Sequence, residues 1–439
     1  MAPWDVVIVG GGILGTSLAH WIGARYDARV AVLEKENHLA AHASGRNTGV
    51  IHRPFYLDPE EAGLFARVAQ ASFPIWKKYA LERRLPWSEI GTLKVAMAPE
   101  EVRALEKNVA FARANGMRDD ELELLDKDGV RAIEPNVACE AGLLVKTDTV
   151  VDYRALTEAI KADAQSRGVV FFTTADVRTI ERRGDRHVLR TQYPWEEFEA
   201  RYVVNCAGGG AVDIAHLMGV GQEYTDLHFR GEYWVIGDPA ARLVSRNVYT
   251  VPKTPDLPFL DPHWVVRPNG RREIGPNAVP VPDLDSYEGL FETLPHWPAK
   301  FLEPPIGNKL RLTLSRTFLT LTARELLSSL SKFEMMRRVR EFVPRLREAD
   351  LVARGFAGIR SPVVDRHGRM IKEALELPGP RSYHILNFNS PGATGAPAYT
   401  AYLLDRLAAR GDLDHLKPAV KANAAWDWKA VSEAMGLVA

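Results

Sequence analysis

The sequence predicts a two-domain α/β protein: a Rossmann-like dinucleotide-binding domain with an inserted antiparallel-sheet domain. Three observations predict it. A β-branched run, Val6-Val7-Ile8-Val9, breaks into Gly10-x-Gly12-x-x-Gly15, and an acid, Glu34, closes the next apolar run, Val30-Ala31-Val32-Leu33. At 439 residues the chain exceeds one core of ordinary size. Glycine-rich turns recur near residues 207–210 and 392–395, whereas 226–350 between them is rich in aromatics and prolines. The dinucleotide unit is therefore expected to be discontinuous, built from residues 1–55, 148–225 and 351–439. Residues 56–147 and 226–350 form the inserted, substrate-facing domain.

Each element has its own reason. The strand over 6–9 is uninterruptedly apolar, as in a parallel strand buried on both faces. The glycines after it permit a tight turn and let a pyrophosphate approach backbone N–H groups. The helix expected to run to about residue 24 meets that pyrophosphate with free N–H groups and its positive dipole end. Glu34, roughly twenty residues past the glycines, is placed to accept hydrogen bonds from ribose hydroxyls. Apolar spacing predicts helices over 60–84 and 100–115 with a strand over 92–97 between them. A helix over 153–166 stops at Gly168, and strands over 169–172, 177–180, 187–191 and 201–205 follow. Further strands are expected over 231–236, 263–266 and 272–275, then one long helix over 322–342 and a last helix over 399–409.

Composition excludes several classes. Hydrophobic residues at 46% and charged residues at 26% describe a soluble globular chain, and a net charge of zero gives no footprint for nucleic acid. Two cysteines, Cys139 and Cys206, with no CxxC, argue against a disulfide framework, a zinc site or an iron–sulfur cluster, so no metal is expected. The fold begins at Val6, which leaves no room for a signal peptide, and no apolar run reaches the ~18 residues of a membrane span. A cytoplasmic protein is expected. Residues 310–330, rich in Leu and Phe and carrying Arg311, Arg316 and Arg324, read either as a helix covering a core or as a face resting on the inner surface of a membrane.

Four segments in order carry a family resemblance: Gly10–Gly15 with Glu34; His42-Ala43-Ser44-Gly45-Arg46-Asn47-Thr48-Gly49-Val50-Ile51-His52; the strand-to-glycine turn ending in Cys206-Ala207-Gly208-Gly209-Gly210; and Gly358-Ile359-Arg360 ahead of Ser390-Pro391-Gly392-Ala393-Thr394-Gly395. Together they resemble the FAD-dependent D-amino-acid-oxidase-like superfamily. Within it the chain is most similar to the L-2-hydroxyglutarate dehydrogenases and oxidases. That closer likeness rests on Gly49-Val50-Ile51-His52, Phe229-Arg230-Gly231-Glu232-Tyr233, Pro258-Phe259-Leu260 with His263, Gly275-Pro276-Asn277-Ala278, Ser329-Leu330-Ser331-Lys332 and Ser390-Pro391-Gly392-Ala393-Thr394. Two departures stand out. His52-Arg53-Pro54-Phe55-Tyr56 replaces a small flexible turn, and Val265-Val266 replaces a Thr-Arg pair after His263.

The resemblance implies FAD. Gly10, Gly12, Ile13, Leu14, Gly15, Glu34 and Lys35 would hold its ADP half, with the backbone of Val177 pairing with adenine. Ser44, Gly45, Arg46, Asn47, Thr48, Gly49 and Val50 form a small, polar loop against which a flat isoalloxazine can lie. Ala207, Gly208, Pro391, Gly392, Ala393, Thr394 and Gly395 complete the cradle, and the dipole of the last helix would face the flavin edge that gains negative charge on reduction. In some relatives a histidine placed as His42 carries the flavin covalently. The group this chain most resembles binds it non-covalently, which is the expectation here.

The resemblance further implies that hydride leaves C2 of a small, L-2-hydroxyglutarate-like 2-hydroxy acid for flavin N5 while a base takes the hydroxyl proton, a task that suits an imidazole. His52 is the first candidate, His263 the second and His228 the third. Arg360 would grip the substrate carboxylate bidentately and bound the flavin site. Arg230 either anchors a distal carboxylate or ties down a loop; Tyr233 and Arg53 complete the expected substrate contacts. The alternative is an amino-acid or amine oxidase of the same superfamily. The electron acceptor, whether a quinone, an electron-transfer protein or oxygen, is left open.

Overall fold

The computed structural model describes residues 2–192, 195–253, 261–289, 291–419 and 425–437, so the marker Pro258-Phe259-Leu260 lies outside the described residues. The strand Trp4–Val9 (β1) pairs in parallel with Val30–Leu33 (β2) on one side and with Glu197–Asn205 on the other. Val6, Val7, Ile8 and all of β2 are essentially without solvent exposure, which is why these strands carry unbroken apolar runs. Val170–Phe172 adds beyond β2. Glu197–Asn205 is long enough to serve two partners: its first half pairs antiparallel with Arg186–Gln192, and Val203, Val204 and Asn205 pair in parallel with Ser382–Asn387. With Asp176–Arg183 and Leu375–Gly379 this makes an eight-stranded sheet.

The helix Ile13–Arg25 (α1) lies on this sheet and packs with Tyr153–Gln165 and Gly392–Ala409, and Gly63–Glu82 packs on Gly392–Ala409 in turn. Two buried indoles fasten the last of these. Trp21 donates to the carbonyl of Pro397 at 2.9 Å and Trp76 to that of Thr394 at 2.7 Å. The first two turns of Gly392–Ala409 are thereby fastened to Ile13–Arg25 and to Gly63–Glu82.

A second eight-stranded sheet runs in the order Leu351–Arg354, Trp234–Ile236, Arg272–Gly275, His263–Val266, Asn247–Thr250, Thr92–Ala96, Ala141–Val145 and Leu122–Asp126. All its pairings are antiparallel except that between Asn247–Thr250 and Thr92–Ala96.

Three sequence expectations are corrected. The strand over 231–236 is two strands: His228–Gly231 joins a three-stranded sheet with Val279–Val281 and Gly358–Arg360, whereas Trp234–Ile236 enters the large sheet. The chain changes sheets because the Glu232 N–H donates to Asn277 Oδ1 at 2.8 Å and the Glu232 carboxylate takes Arg230, Asn277 and Ser329. The long helix over 322–342 breaks at Ser331 into Arg316–Leu330 and Lys332–Val339. There the Ser329 carbonyl accepts from Arg354 at 2.7 Å. Residues 310–330 likewise divide between Ile306–Thr313 and Arg316–Leu330, where Ser315 Oγ caps the second helix through the Phe318 N–H. No helix among the described residues is long and apolar enough to cross a membrane.

Candidate active site

A cavity of about 940 Å³ runs from the β1–α1 turn to Arg360 and His263, near the upper end of the usual range for small-molecule sites. At its first end the backbone dominates. Gly10 sits at φ +110°, and a Cβ there would lie 2.4 Å from the Cys206 carbonyl oxygen; one on Gly15 would lie 2.0 Å from the Gly10 oxygen. Both glycines are needed to bring the turn against its neighbours. The helix α1 starts with no side-chain cap from Gly12 and no acid in its first turn, and Ile13 and Leu14 face the cavity. The helix Gly392–Ala409 also starts uncapped by Pro391 and without an acid, with Gly392, Ala393 and Thr394 on the same cavity. Two helix N-termini thus open on one elongated space, an arrangement that fits a long ligand carrying negative charge at two places.

Side chains trim this end. Glu34 Oε2 accepts from the Gly11 N–H at 2.8 Å and Oε1 from the Glu36 N–H at 2.9 Å. Burial pushes its carboxyl up, and those two N–H groups oppose the shift. Ser44 Oγ accepts from the Ile13 N–H at 2.9 Å. Lys35 pairs with Asp285 at 3.1 Å. His42 has both ring nitrogens engaged, with Tyr287 Oη at 2.5 Å and Glu36 Oε1 at 2.8 Å. Arg46, Asn47, Thr48, Val50, Val177, Ala207 and Gly208 also line the wall. Gly15, Gly45, Gly49 and Gly395 are not among the lining residues.

The far end is built from titratable side chains. His52 follows the short strand Val50–Ile51, and its N–H donates to Thr394 Oγ1 at 3.2 Å. Its Nδ1 lies 2.8 Å from Asp148 Oδ2, a fully buried carboxylate that also accepts from the Arg53 N–H at 2.7 Å. Tyr249 meets His52 edge-on at 5.7 Å between ring centroids and stacks on His263 at 4.1 Å. Burial holds His263 down to about 3, so it is neutral; its Nδ1 donates to the Asp261 carbonyl at 3.1 Å. Tyr233 lines the same wall, its hydroxyl pushed up to about 12 by burial, with the Arg267 guanidinium over its ring. Arg360 arrives on Gly358–Arg360 opposite Phe229, and burial lowers its guanidinium. His228, held down to about 4 by burial, lines the wall with its Nδ1 against Ser361 Oγ at 2.9 Å.

Two expected substrate contacts are not brought to this cavity. Arg53 is buried against Glu121, with Thr147 Oγ1 at 2.9 Å and Gln70 Oε1 at 2.8 Å, and its guanidinium lies over Phe73. Arg230 binds Glu232 and the carbonyls of Ser286 and Gly289 at 3.0 and 2.7 Å, contacts that tie the 286–289 loop to its strand. Conversely, Asp148 and Tyr249 escaped the sequence reading. Nothing in their local pattern marks them, because Asp148 is 96 residues from His52.

Residues 5–407 match the FAD dependent oxidoreductase family. The L-2-hydroxyglutarate dehydrogenase of Escherichia coli (strain K12) is 31% identical over 412 residues, 92% of this chain and 93% of that protein. The mitochondrial L-2-hydroxyglutarate dehydrogenase of Homo sapiens is 28% identical over 94% of this chain and 90% of its own length. Among solved structures, dithionite-reduced L-α-glycerophosphate oxidase from Mycoplasma pneumoniae with FAD bound aligns with a TM-score of 0.72 at 22% identity, covering 97% of this chain and 98% of that one. Glycine oxidase from Geobacillus kaustophilus aligns at 0.68 and 21% identity, covering 93% and 95%. These two likenesses show the fold. The family match spans most of the chain, and with it the protein belongs to the FAD dependent oxidoreductase family and is an oxidoreductase with FAD as its cofactor.

Proposed function

We propose that the protein oxidises the C2 hydroxyl of a small 2-hydroxy acid, L-2-hydroxyglutarate-like, to the 2-oxo acid. The observation that carries this reading is that an imidazole, His52, and a guanidinium, Arg360, line one cavity together with the start of Gly392–Ala409. Arg360 takes the substrate carboxylate and fixes C2. His52 takes the hydroxyl proton as the O–H bond breaks. FAD, when bound, supplies at N5 the two-electron acceptor for the hydride leaving C2. The names of the relatives support a C2-hydroxyl substrate.

The cofactor would be held by Gly10, Gly12, Ile13, Leu14 and Glu34 at its ADP half and by the 44–50 loop and Pro391–Thr394 at its ring. We propose that it is non-covalent, supported by the engagement of both His42 nitrogens; acid precipitation should leave the yellow chromophore in the supernatant. Residues 1–55, 148–225 and 351–439 would form the FAD-binding part, and 56–147 with 226–350 the substrate cap. The first large sheet draws every strand from the former set, and the second draws all but Leu351–Arg354 from the latter. Exposed Leu310, Leu314, Leu319, Leu327 and Leu330, beside Arg311, Arg316 and Arg324, support peripheral contact with an anionic membrane surface. Vesicle flotation with and without anionic lipid tests that contact, and reoxidation by quinone, electron-transfer protein or oxygen identifies the acceptor.

A panel of L- and D-2-hydroxy acids, amino acids and glycerol 3-phosphate, scored by anaerobic flavin bleaching, tests the reaction. An L-2-hydroxy acid should bleach fastest. Bleaching by amino acids instead would replace the reading with C–N oxidation.

A further inference from the structure

The antiparallel pair Val50–Ile51 and Thr149–Val151 is registered Val50↔Val150 and Ile51↔Thr149. Continued by one residue, that register sets His52 opposite Asp148. The backbone thereby delivers a carboxylate to the imidazole. Asp148 has no solvent exposure, and its two oxygens take the Arg53 N–H at 2.7 Å and His52 Nδ1 at 2.8 Å. A desolvated carboxylate is costly, and one N–H group with one imidazole is a spare set of partners for it. A backbone staple between residues 52–53 and 147–149 would need no charge.

We propose that Asp148 is the positioning residue of the reaction: it fixes His52 in the Nδ1–H tautomer, leaving Nε2 as the proton acceptor. This rests on His52 being the base in the reading above. The substrate O–H bond breaks, its proton forms a bond to His52 Nε2, and the Nδ1 proton stays on nitrogen, hydrogen-bonded to Asp148, whose charge stabilises the imidazolium. The other titratable groups facing His52 are Tyr56 of its own loop and Tyr249; His263 and Arg360 share its cavity.

The experiment is anaerobic stopped-flow reduction of the FAD-loaded enzyme by the best 2-hydroxy acid of the panel, for wild type, Asp148→Asn, His52→Gln and the double variant. An asparagine keeps the contact to the Arg53 N–H but presents an N–H to Nδ1 and so imposes the other tautomer. Asp148→Asn should slow limiting reduction by about 100-fold or more, leave the substrate concentration for half-maximal rate within about threefold, and move the acid limb of the rate to lower pH. In the His52→Gln background it should cost less than about threefold further, because it acts through His52. A full additive loss, or an Asp148→Asn rate near wild type while His52→Gln is slow, overturns the positioning role. A fast His52→Gln overturns the base assignment itself. Should Asp148→Asn fail to fold, ¹⁵N-histidine spectra of wild-type holoenzyme decide: a neutral His52 protonated on Nδ1 supports the proposal, and one protonated on Nε2 contradicts it.

Discussion

The two ends of the cavity are made by different means. At the β1–α1 end the groups that face a ligand are backbone N–H groups and two helix N-termini, and Gly10 and Gly15 are required there because a Cβ on either would lie 2.0–2.4 Å from a backbone oxygen. At the His52 end the working groups are side chains, and each is placed by a partner on another element: His52 by Asp148, Arg360 by its register with Phe229, His263 by stacking on Tyr249. Binding of a common cofactor needs only a repeated backbone shape. Discriminating a substrate and moving its proton needs an arrangement of side chains that a local pattern does not encode.

Substitutions at the second end should sharpen that contrast. Arg360→Ala should lower kcat/KM for a 2-hydroxy acid by about 30- to 1000-fold, the ~2–4 kcal/mol of a bidentate charge-assisted contact, while leaving FAD bound. Steady-state kinetics with the flavin spectrum as control checks this; unchanged kcat/KM would make Arg360 structural. Arg53→Met marks where the substrate end stops. Removing it strands buried Glu121, which should cost about 3–5 kcal/mol in denaturant unfolding, yet KM should move less than about threefold. A steep rise in KM would return Arg53 to the substrate contacts. The smallest and most general effect is on pH. His20 lies in the core against Trp426, and burial holds it down to about 3, so the folded protein keeps it neutral while the unfolded chain protonates it near 6.5. Its folded state therefore takes up no proton between those values. Stability should be level above about pH 6.5 and fall as pH drops toward 3, by up to about 1.4 kcal/mol per pH unit for one such histidine. Thermal unfolding between pH 8 and 5 reads it, and a flat profile would contradict it.

The sequence showed the first end clearly because everything that shapes it is local. Val6–Val9, the glycine triplet and Val30–Leu33 lie within one βαβ unit, and their pattern tolerates few other structures. It showed the second end only as residue types. His52, His263 and Tyr233 do line the cavity, as expected from the residues flanking them, but Arg53 and Arg230 do not, because Glu121 and Glu232 capture them. The short strands Val50–Ile51 and Thr149–Val151 are too brief to announce themselves, so Asp148 went unseen with them. The same cause broke the expected strand over 231–236 and helix over 322–342: Asn277 and Arg354 supply hydrogen bonds from outside the local window.

The central claim is that this flavoprotein removes a hydroxyl proton with His52 as it oxidises a 2-hydroxy acid. Anaerobic mixing of wild type and His52→Gln with L-2-hydroxyglutarate, following flavin absorbance and the 2-oxo acid formed, tests it most directly. The account predicts stoichiometric bleaching by wild type and bleaching at least about 100-fold slower by the variant with its FAD retained. Equal rates in the two proteins, or no 2-oxo acid in either, would contradict it.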